Sequence, residues 1–189
     1  MYGSEGARGW KQPPATRLPA GIEKSMKFSK RLFLIFIILL SCVGCDQATK
    51  SFAVSHLPEM KTFSYLGDTL RLQLTYNRGA FLSLGHSLPD VLRYSIFTVG
   101  ICFILLSALA FALLSKSGAF SVVLAVSLFI AGGVGNLIDR IMYNGSVVDF
   151  LNVGIGPLRT GIFNLADVFI MGGSMVLLFY TLRKQRENR

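Results

Sequence analysis

Within the apolar stretches of this 189-residue chain stand a few side chains able to hold or exchange protons. Asp46 and Lys50 are four apart, Asn136, Asp139 and Arg140 follow Gly132, Gly133 and Gly135, and Asn164 precedes Asp167 by three. Asp167 stands out, because it interrupts an otherwise uncharged run from Thr160 to Leu182 and has no neighbouring Lys or Arg. A charge at mid-bilayer costs about 2.5–3.5 kcal/mol on insertion scales, so such groups face a bundle interior and mark function. Each of the others also has a purely structural use. Asp46 and Lys50 have the spacing of a helix-stabilising ion pair, Asp139 and Arg140 suit interface anchors, and Asn77 in Asn-Arg-Gly suits a turn. The three glycines suit close helix packing. Asp68 and Asp90 read as solvated loop acids, and Asp149, between Val148 and Phe150, reads equally as an exposed acid or a functional one.

Other chemistries find little support. Two histidines (His56, His86) and three cysteines (Cys42, Cys45, Cys102) give no ligand set at metal-binding spacing, so no metal and no cofactor are expected. Cys42 and Cys45 have Cys-x-x-Cys spacing, but a thioredoxin-like site needs a helix start after a strand, and this pair lies near the end of an apolar helix. A cleavable lipoprotein signal peptide over Met26–Cys45, ending in Val-Gly-Cys, would account for a short first apolar run. It would leave three later spans unexplained and remove the helix that carries Asp46.

The elements that position these residues follow from composition. The chain is 52% hydrophobic and only 15% charged, with a mean hydropathy of +0.54, against about 25% charged residues in soluble domains. An integral membrane protein is indicated, with a single domain over 26–189 and a polar, Pro- and Gly-bearing extension over 1–25 that contributes nothing to the fold. Of 19 basic residues, seven precede Leu32 and four follow Leu182, flanking apolar segments as orientation signals do. The net charge of +9 therefore does not imply nucleic acid.

The apolar runs Leu32–Cys45, Tyr94–Ser115, Ser117–Ile138 and Thr160–Leu182 predict four spans. Basic residues at both ends put both termini in the cytoplasm, with a tight cytoplasmic turn at Lys116–Gly118. The polar residues then fall at one depth, near the outer face. In the first outer segment Leu70, Leu72 and Leu74 alternate with Arg71, Gln73 and Thr75, which predicts a strand paired through a turn at Gly67-Asp68 with Phe63–Leu66. The fold class expected is an all-α, four-helix membrane protein with a small extracytoplasmic sheet between helices one and two. Between helices three and four it has only a turn at Asn144-Gly145 and a short apolar stretch, Val147–Leu151.

Five segments, Asp46-Gln-Ala-Thr-Lys50, Asn77-Arg-Gly-Ala-Phe81, Gly135-Asn-Leu-Ile-Asp-Arg140, Val147-Val-Asp-Phe150 and Phe163-Asn-Leu-Ala-Asp167, resemble in order and spacing the motifs of the bacterial lipoprotein signal peptidases, or type II signal peptidases. The likeness covers Met26 to the C terminus. Ala131 stands where the family commonly has the first of two glycines, and Phe81 follows Gly79-Ala80 one small residue early.

The resemblance implies an aspartic endopeptidase of the bacterial cytoplasmic (inner) membrane that cleaves diacylglyceryl-modified prolipoproteins before the lipidated cysteine. It names Asp149 and Asp167 as the catalytic pair. Amide hydrolysis without a metal or a Ser or Cys nucleophile needs one carboxylate to activate water and one carboxylic acid to protonate the carbonyl oxygen, which agrees. Adjacent carboxyls share a proton. Supporting or substrate-binding places fall to Asp46, Lys50, Asn77, Gly79, Asn136, Asp139, Arg140, Asn164 and Ala166. Arg140 is expected to hold loop backbone or lipid phosphate. The expected partners are prolipoproteins and membrane phospholipids, with no nucleic acid, and the enzyme is expected to be a monomer. A small transporter would place its acids near mid-bilayer or in repeated halves, and no internal repeat is present; a lipid-binding scaffold needs no paired aspartates.

Overall fold

In the computed structural model, which describes residues 25–79, 88–115 and 118–187, four helices are long and apolar enough to cross a membrane. They are α1 (Phe28–His56), α2 (Val91–Leu114), α3 (Phe120–Met142) and α4 (Leu165–Glu187). Strands β1 (Phe63–Tyr65) and β2 (Leu70–Asn77) lie between α1 and α2, and β3 (Val147–Ile155) and β4 (Leu158–Arg159) between α3 and α4. They form one antiparallel sheet in the order β1-β2-β3-β4. Residues 1–24 of the expected extension, Phe81, and Lys116 of the expected turn lie outside the described residues.

The sheet corrects the expectation that strands belong only to the first connection. Val147–Leu151, read as a short apolar stretch, is the start of a nine-residue strand in the middle of the sheet. It shows no period-two signal because both its faces are covered: Val147, Val148, Asp149 and Phe150 are all buried. On β2 the expected alternation is broken. Leu72 pairs with Leu151 and Thr75 with Asp149, so β2 spends three steps where β3 spends two, which is a β-bulge.

One helix end keeps its expected place and another moves. α1 carries Asp46 and Lys50 at its outer end, as their helical spacing implies, and runs on to His56. At the other extreme, Thr160–Phe163 is apolar but not helical: Phe163 bridges Leu151 of β3, and α4 begins at Leu165. Asp167 therefore sits in the first turn of its helix, half-buried, and not in the middle of the apolar run that began at Thr160.

The bundle is built around α3. Of its most apolar 18-residue window 61% is buried, against 11–17% for the other three helices, whose exposed Phe33, Phe36, Leu40, Phe103, Leu106 and Phe179 suit a lipid-facing surface. Glycines let α3 approach its neighbours closely. A Cβ on Gly132 would strike the Ala166 carbonyl of α4, and one on Gly135 the Asp46 carboxylate of α1. At the far end Arg31, expected as a solvated basic flank, is buried. Its Nη1 donates to the carbonyls of Ala112, Leu113 and Ser115 at 3.2, 2.9 and 2.9 Å, satisfying the last turn of α2.

Candidate active site

Three helices meet around one buried cation. Lys50 of α1 lies 2.8 Å from the Asp46 carboxylate one turn before it and 2.9 Å from that of Asp139 on α3. Its third contact is Asn136 Oδ1, at 3.0 Å. Both acids also accept backbone N–H groups, Asp46 from Ala166 at 2.9 Å and Asp139 from Val148 at 3.0 Å. The cluster thus joins α1 and α3 to the start of α4 and to β3, and each carboxylate spends its lone pairs on fixed donors. Gln47 completes it, donating to Asp139 Oδ1 at 3.0 Å and to the Gly135 carbonyl at 3.1 Å.

The amide of Asn136 carries this order outward. Its Oδ1 accepts from both Lys50 and Asn164 Nδ2 (3.0 Å), so its Nδ2 must point the other way, to Asp167 Oδ1 at 2.9 Å. Asp167 is also fixed by the helix it begins. Asn164 Oδ1 accepts the Asp167 N–H at 3.0 Å, and Asp167 Oδ2 accepts the Asn164 N–H at 3.2 Å, a reciprocal capping box. The same Asn164 donates from Nδ2 to Asp149 Oδ1 at 2.7 Å. One fully buried asparagine therefore bonds both carboxylates and sets their relation.

Asp149 reaches the site from the sheet. Its second oxygen accepts from Asn77 Nδ2 at 3.1 Å, and Asn77 is held in turn by the Gly79 N–H, which donates to Asn77 Oδ1 at 3.0 Å. Burial, and then the nearby charge of Asp167, push the Asp149 carboxyl up to about 7 from its ordinary 3.8. The folded chain keeps a proton there that the unfolded chain has lost. This group's contribution to stability is thus complete below about pH 4 and declines as pH rises to about 7.

All eleven residues singled out from the sequence for this site lie in these contacts or next to them. Ala166 contributes its N–H to Asp46, and Arg140, buried, donates to the carbonyls of Asn136 (3.2 Å) and Gly79 (3.4 Å). Gln47 was not singled out, and only its place between two acids and the Gly135 carbonyl reveals it. Asp68, read as a solvated loop acid, pairs with Arg71 at 2.6 Å and with Arg159 at 3.6 Å. The Arg71 hydrogen bond above all holds its carboxyl well below the usual range. It ties the β1–β2 turn to β4, away from the two central carboxyls. Among the described residues no three His, Cys, Asp or Glu side chains converge as metal ligands.

The arrangement fixes two carboxyls, Asp149 and Asp167, through one asparagine and raises one of them toward neutrality, which is equipment for acid–base catalysis. Known proteins resemble this chain in sequence and in fold. A model of the Signal peptidase (SPase) II family matches residues 37–183. The lipoprotein signal peptidase of Streptococcus pneumoniae is 31% identical over 156 residues, covering 82% of this chain and 97% of its own. That of Treponema pallidum is 36% identical over 152 residues, covering 77% and 81%. A bacterial membrane enzyme solved by the in meso method at 2.3 Å has a similar fold, with a TM-score of 0.72 at 23% identity over 88% of this chain and 96% of that one.

Proposed function

The chain belongs to the signal peptidase II family, and from that premise we propose that it is an aspartic endopeptidase which removes signal peptides from diacylglyceryl-modified prolipoproteins, before the lipidated cysteine. The observation that carries the aspartic mechanism is Asn164 bonded to both Asp149 and Asp167. Asp167 as carboxylate takes a proton from the attacking water, while protonated Asp149 donates to the carbonyl oxygen of the scissile amide. As the resulting diol collapses, Asp167 gives its proton to the leaving amine and Asp149 takes one back from a diol hydroxyl, so the pair again holds one proton. Asn77, Asn136 and Asn164 keep the two carboxyls oriented, and Lys50 with Asp46 and Asp139 keeps the helices beneath them in place.

Detergent-solubilised protein incubated with a diacylglyceryl-modified prolipoprotein is expected to release the signal peptide, read by mass. An intact substrate under conditions where the protein is folded rejects the activity. The proton on Asp149 sets the pH dependence. With that carboxyl at about 7, kcat/KM should fall as pH rises through that value, approaching tenfold per unit above it, as the acid is lost. A rate still rising between pH 7 and 9 contradicts the assignment.

The proposed orientation puts both termini in the cytoplasm of a bacterial inner membrane and the aspartate pair near the outer face. Lys27 before α1, Lys30 in its first turn, and Arg183, Lys184 and Arg186 at the end of α4 support it. Reporter fusions after Leu182 and at Gly118 should read cytoplasm, and those at Gly67 and Gly145 the outside. An outside signal at Gly118 overturns the arrangement.

A further inference from the structure

The sheet is apolar on the face it leaves open. Cross-strand partners point to one side, so Phe63, Leu72 and Leu151 form one apolar row, and Tyr65, Leu70 and Val153 a second. Ile155, two residues beyond Val153, adds a third with its partner Leu158. The other face carries Ser64, Arg71 and Asn152 in one row and Gly154 with Arg159 in the next. That polar face is the closed one. Asn152 is buried, accepts from Arg159 Nε at 2.6 Å and donates to the Thr160 carbonyl at 2.6 Å, while Arg159 Nη1 donates to the Asp68 carbonyl at 2.7 Å. A sheet with one face in water has the reverse arrangement, polar side out.

The open face also carries Asp149, two residues before Leu151 on the same strand. Along this side of β3, exposure rises from 3% at Asp149, bonded to Asn164 at the start of α4, to 38% at Val153 and 79% at Ile155. The face that covers the helix ends at Asp149 thus continues beyond the bundle and overhangs what surrounds the spans. Residues 57–62 join α1 to β1 and residues 160–164 join β4 to α4, so the overhang stays within roughly 20 Å of the helix ends. The β1–β2 turn, held to the β3–β4 hairpin by the Gly154 N–H on the Thr69 carbonyl at 2.9 Å, adds an exposed Leu66 with φ 52°. A left-handed backbone costs a leucine about 1–2 kcal/mol, and burial in the fold does not offset it there.

We propose that the open apolar face of the sheet rests on the outer leaflet of the bilayer beside the bundle, with Ile155 and Leu158 set among the lipids at the boundary of headgroups and acyl chains. This depends on the orientation proposed above, with the aspartate pair near the outer face.

Tryptophans placed in the full-length chain test this, after Trp10→Phe removes the one native tryptophan. The protein is reconstituted without prolipoprotein into vesicles of phosphatidylcholine and phosphatidylglycerol, with or without bromine on the acyl chains. Bromine quenches indole on contact, so the emission of Ile155→Trp and of Leu158→Trp should fall at least about twofold in brominated lipid, as for side chains about 5–10 Å into the interface. Phe103→Trp, on the exposed side of α2, should be quenched too, and Ser64→Trp on the polar face should keep its emission. The proposal is overturned if the two hairpin tryptophans are quenched by aqueous acrylamide and not by brominated lipid while Phe103→Trp is quenched by the lipid. It is also overturned if Ser64→Trp is quenched by the lipid as strongly as they are. Shielding of the hairpin that appears only after prolipoprotein is added overturns it in favour of a peptide-binding face. If Ser64→Trp does not fold, the comparison of the hairpin variants with Phe103→Trp decides. An unquenched Phe103→Trp rejects the spanning arrangement and the overhang with it. Peptide cleavage is not read, so a failure of the aspartate mechanism is distinguishable from a failure here.

Discussion

Asp149→Asn and Asp167→Asn are each expected to reduce prolipoprotein cleavage by at least about a hundredfold and up to about 10⁴-fold, the range that acid–base catalysis supplies. Both proteins should remain folded and inserted in the membrane. Each carboxyl accepts one hydrogen bond on each oxygen: Asp149 from Asn164 and Asn77, Asp167 from Asn136 and the Asn164 N–H. An asparagine in either place keeps one acceptor and turns an NH₂ toward a donor, a loss of about 1 kcal/mol that a folded bundle survives. Asp167→Asn has a second consequence. It removes a negative charge that raises the Asp149 carboxyl, so the Asp149 titration, followed by carboxyl infrared absorption, should move below about 7. Near-normal turnover by either variant would exclude the pair as the catalytic acid and base.

The second large effect belongs to Lys50, which does not touch either aspartate of the pair. Lys50→Met should destabilise the protein by about 3–5 kcal/mol, the usual cost of removing one partner from a buried ion pair. Asp46 and Asp139, both fully buried, would be left without their shared cation, and Asn136 Oδ1 would lose a donor. Adding Asp46→Asn and Asp139→Asn should recover much of the loss, since the amide oxygens can still accept the Ala166 and Val148 N–H groups. Unfolding followed by circular dichroism in detergent compares the single and triple variants. A single variant as stable as wild type, or a triple variant no better than the single, would show that the charges do not act as one cluster.

The cluster and the capping box also show what the sequence made legible. Asn164-Leu-Ala-Asp167 has the spacing of a helix N-terminus, so a residue pattern alone could place Asp167 in a first turn, but the apolar run from Thr160 masked it. Hydropathy marks where apolar residues are, not where a helix begins: Phe163 is apolar, yet its backbone bridges Leu151 of β3. At Asp46 the local spacing was the better guide, because a charged pair four residues apart continues a helix beyond the apolar run. The four helices and the β1–β2 hairpin were readable because their patterns are local, whereas Asp149 and its partners were named only through the resemblance of five separate segments. The central strand β3 was not readable, because its pairing with β2 is made across two helices and its two covered faces erase the alternation.

The bulge in β2 divides that strand into two phases. Direct cross-strand partners share a face, so Thr75 lies on the face of Asp149, and Asn77 two residues on lies there too. If the same residues were paired with no bulge, the pairing of Leu72 with Leu151 would set Leu74 opposite Asp149 and send Asn77 to the other side of the sheet. The inserted residue acts as a frame change in side-chain direction, upstream of which leucines are aimed by one parity and downstream of which an amide is aimed by the other. A strand that must both bury its own leucines and present a polar group to a neighbour thus meets two incompatible requirements in sequence, with one residue as the join. Deleting Gln73 would remove the bulge yet leave Thr75 opposite Asp149 and Asn77 opposite Val147, so the amide would still face the carboxyl it serves.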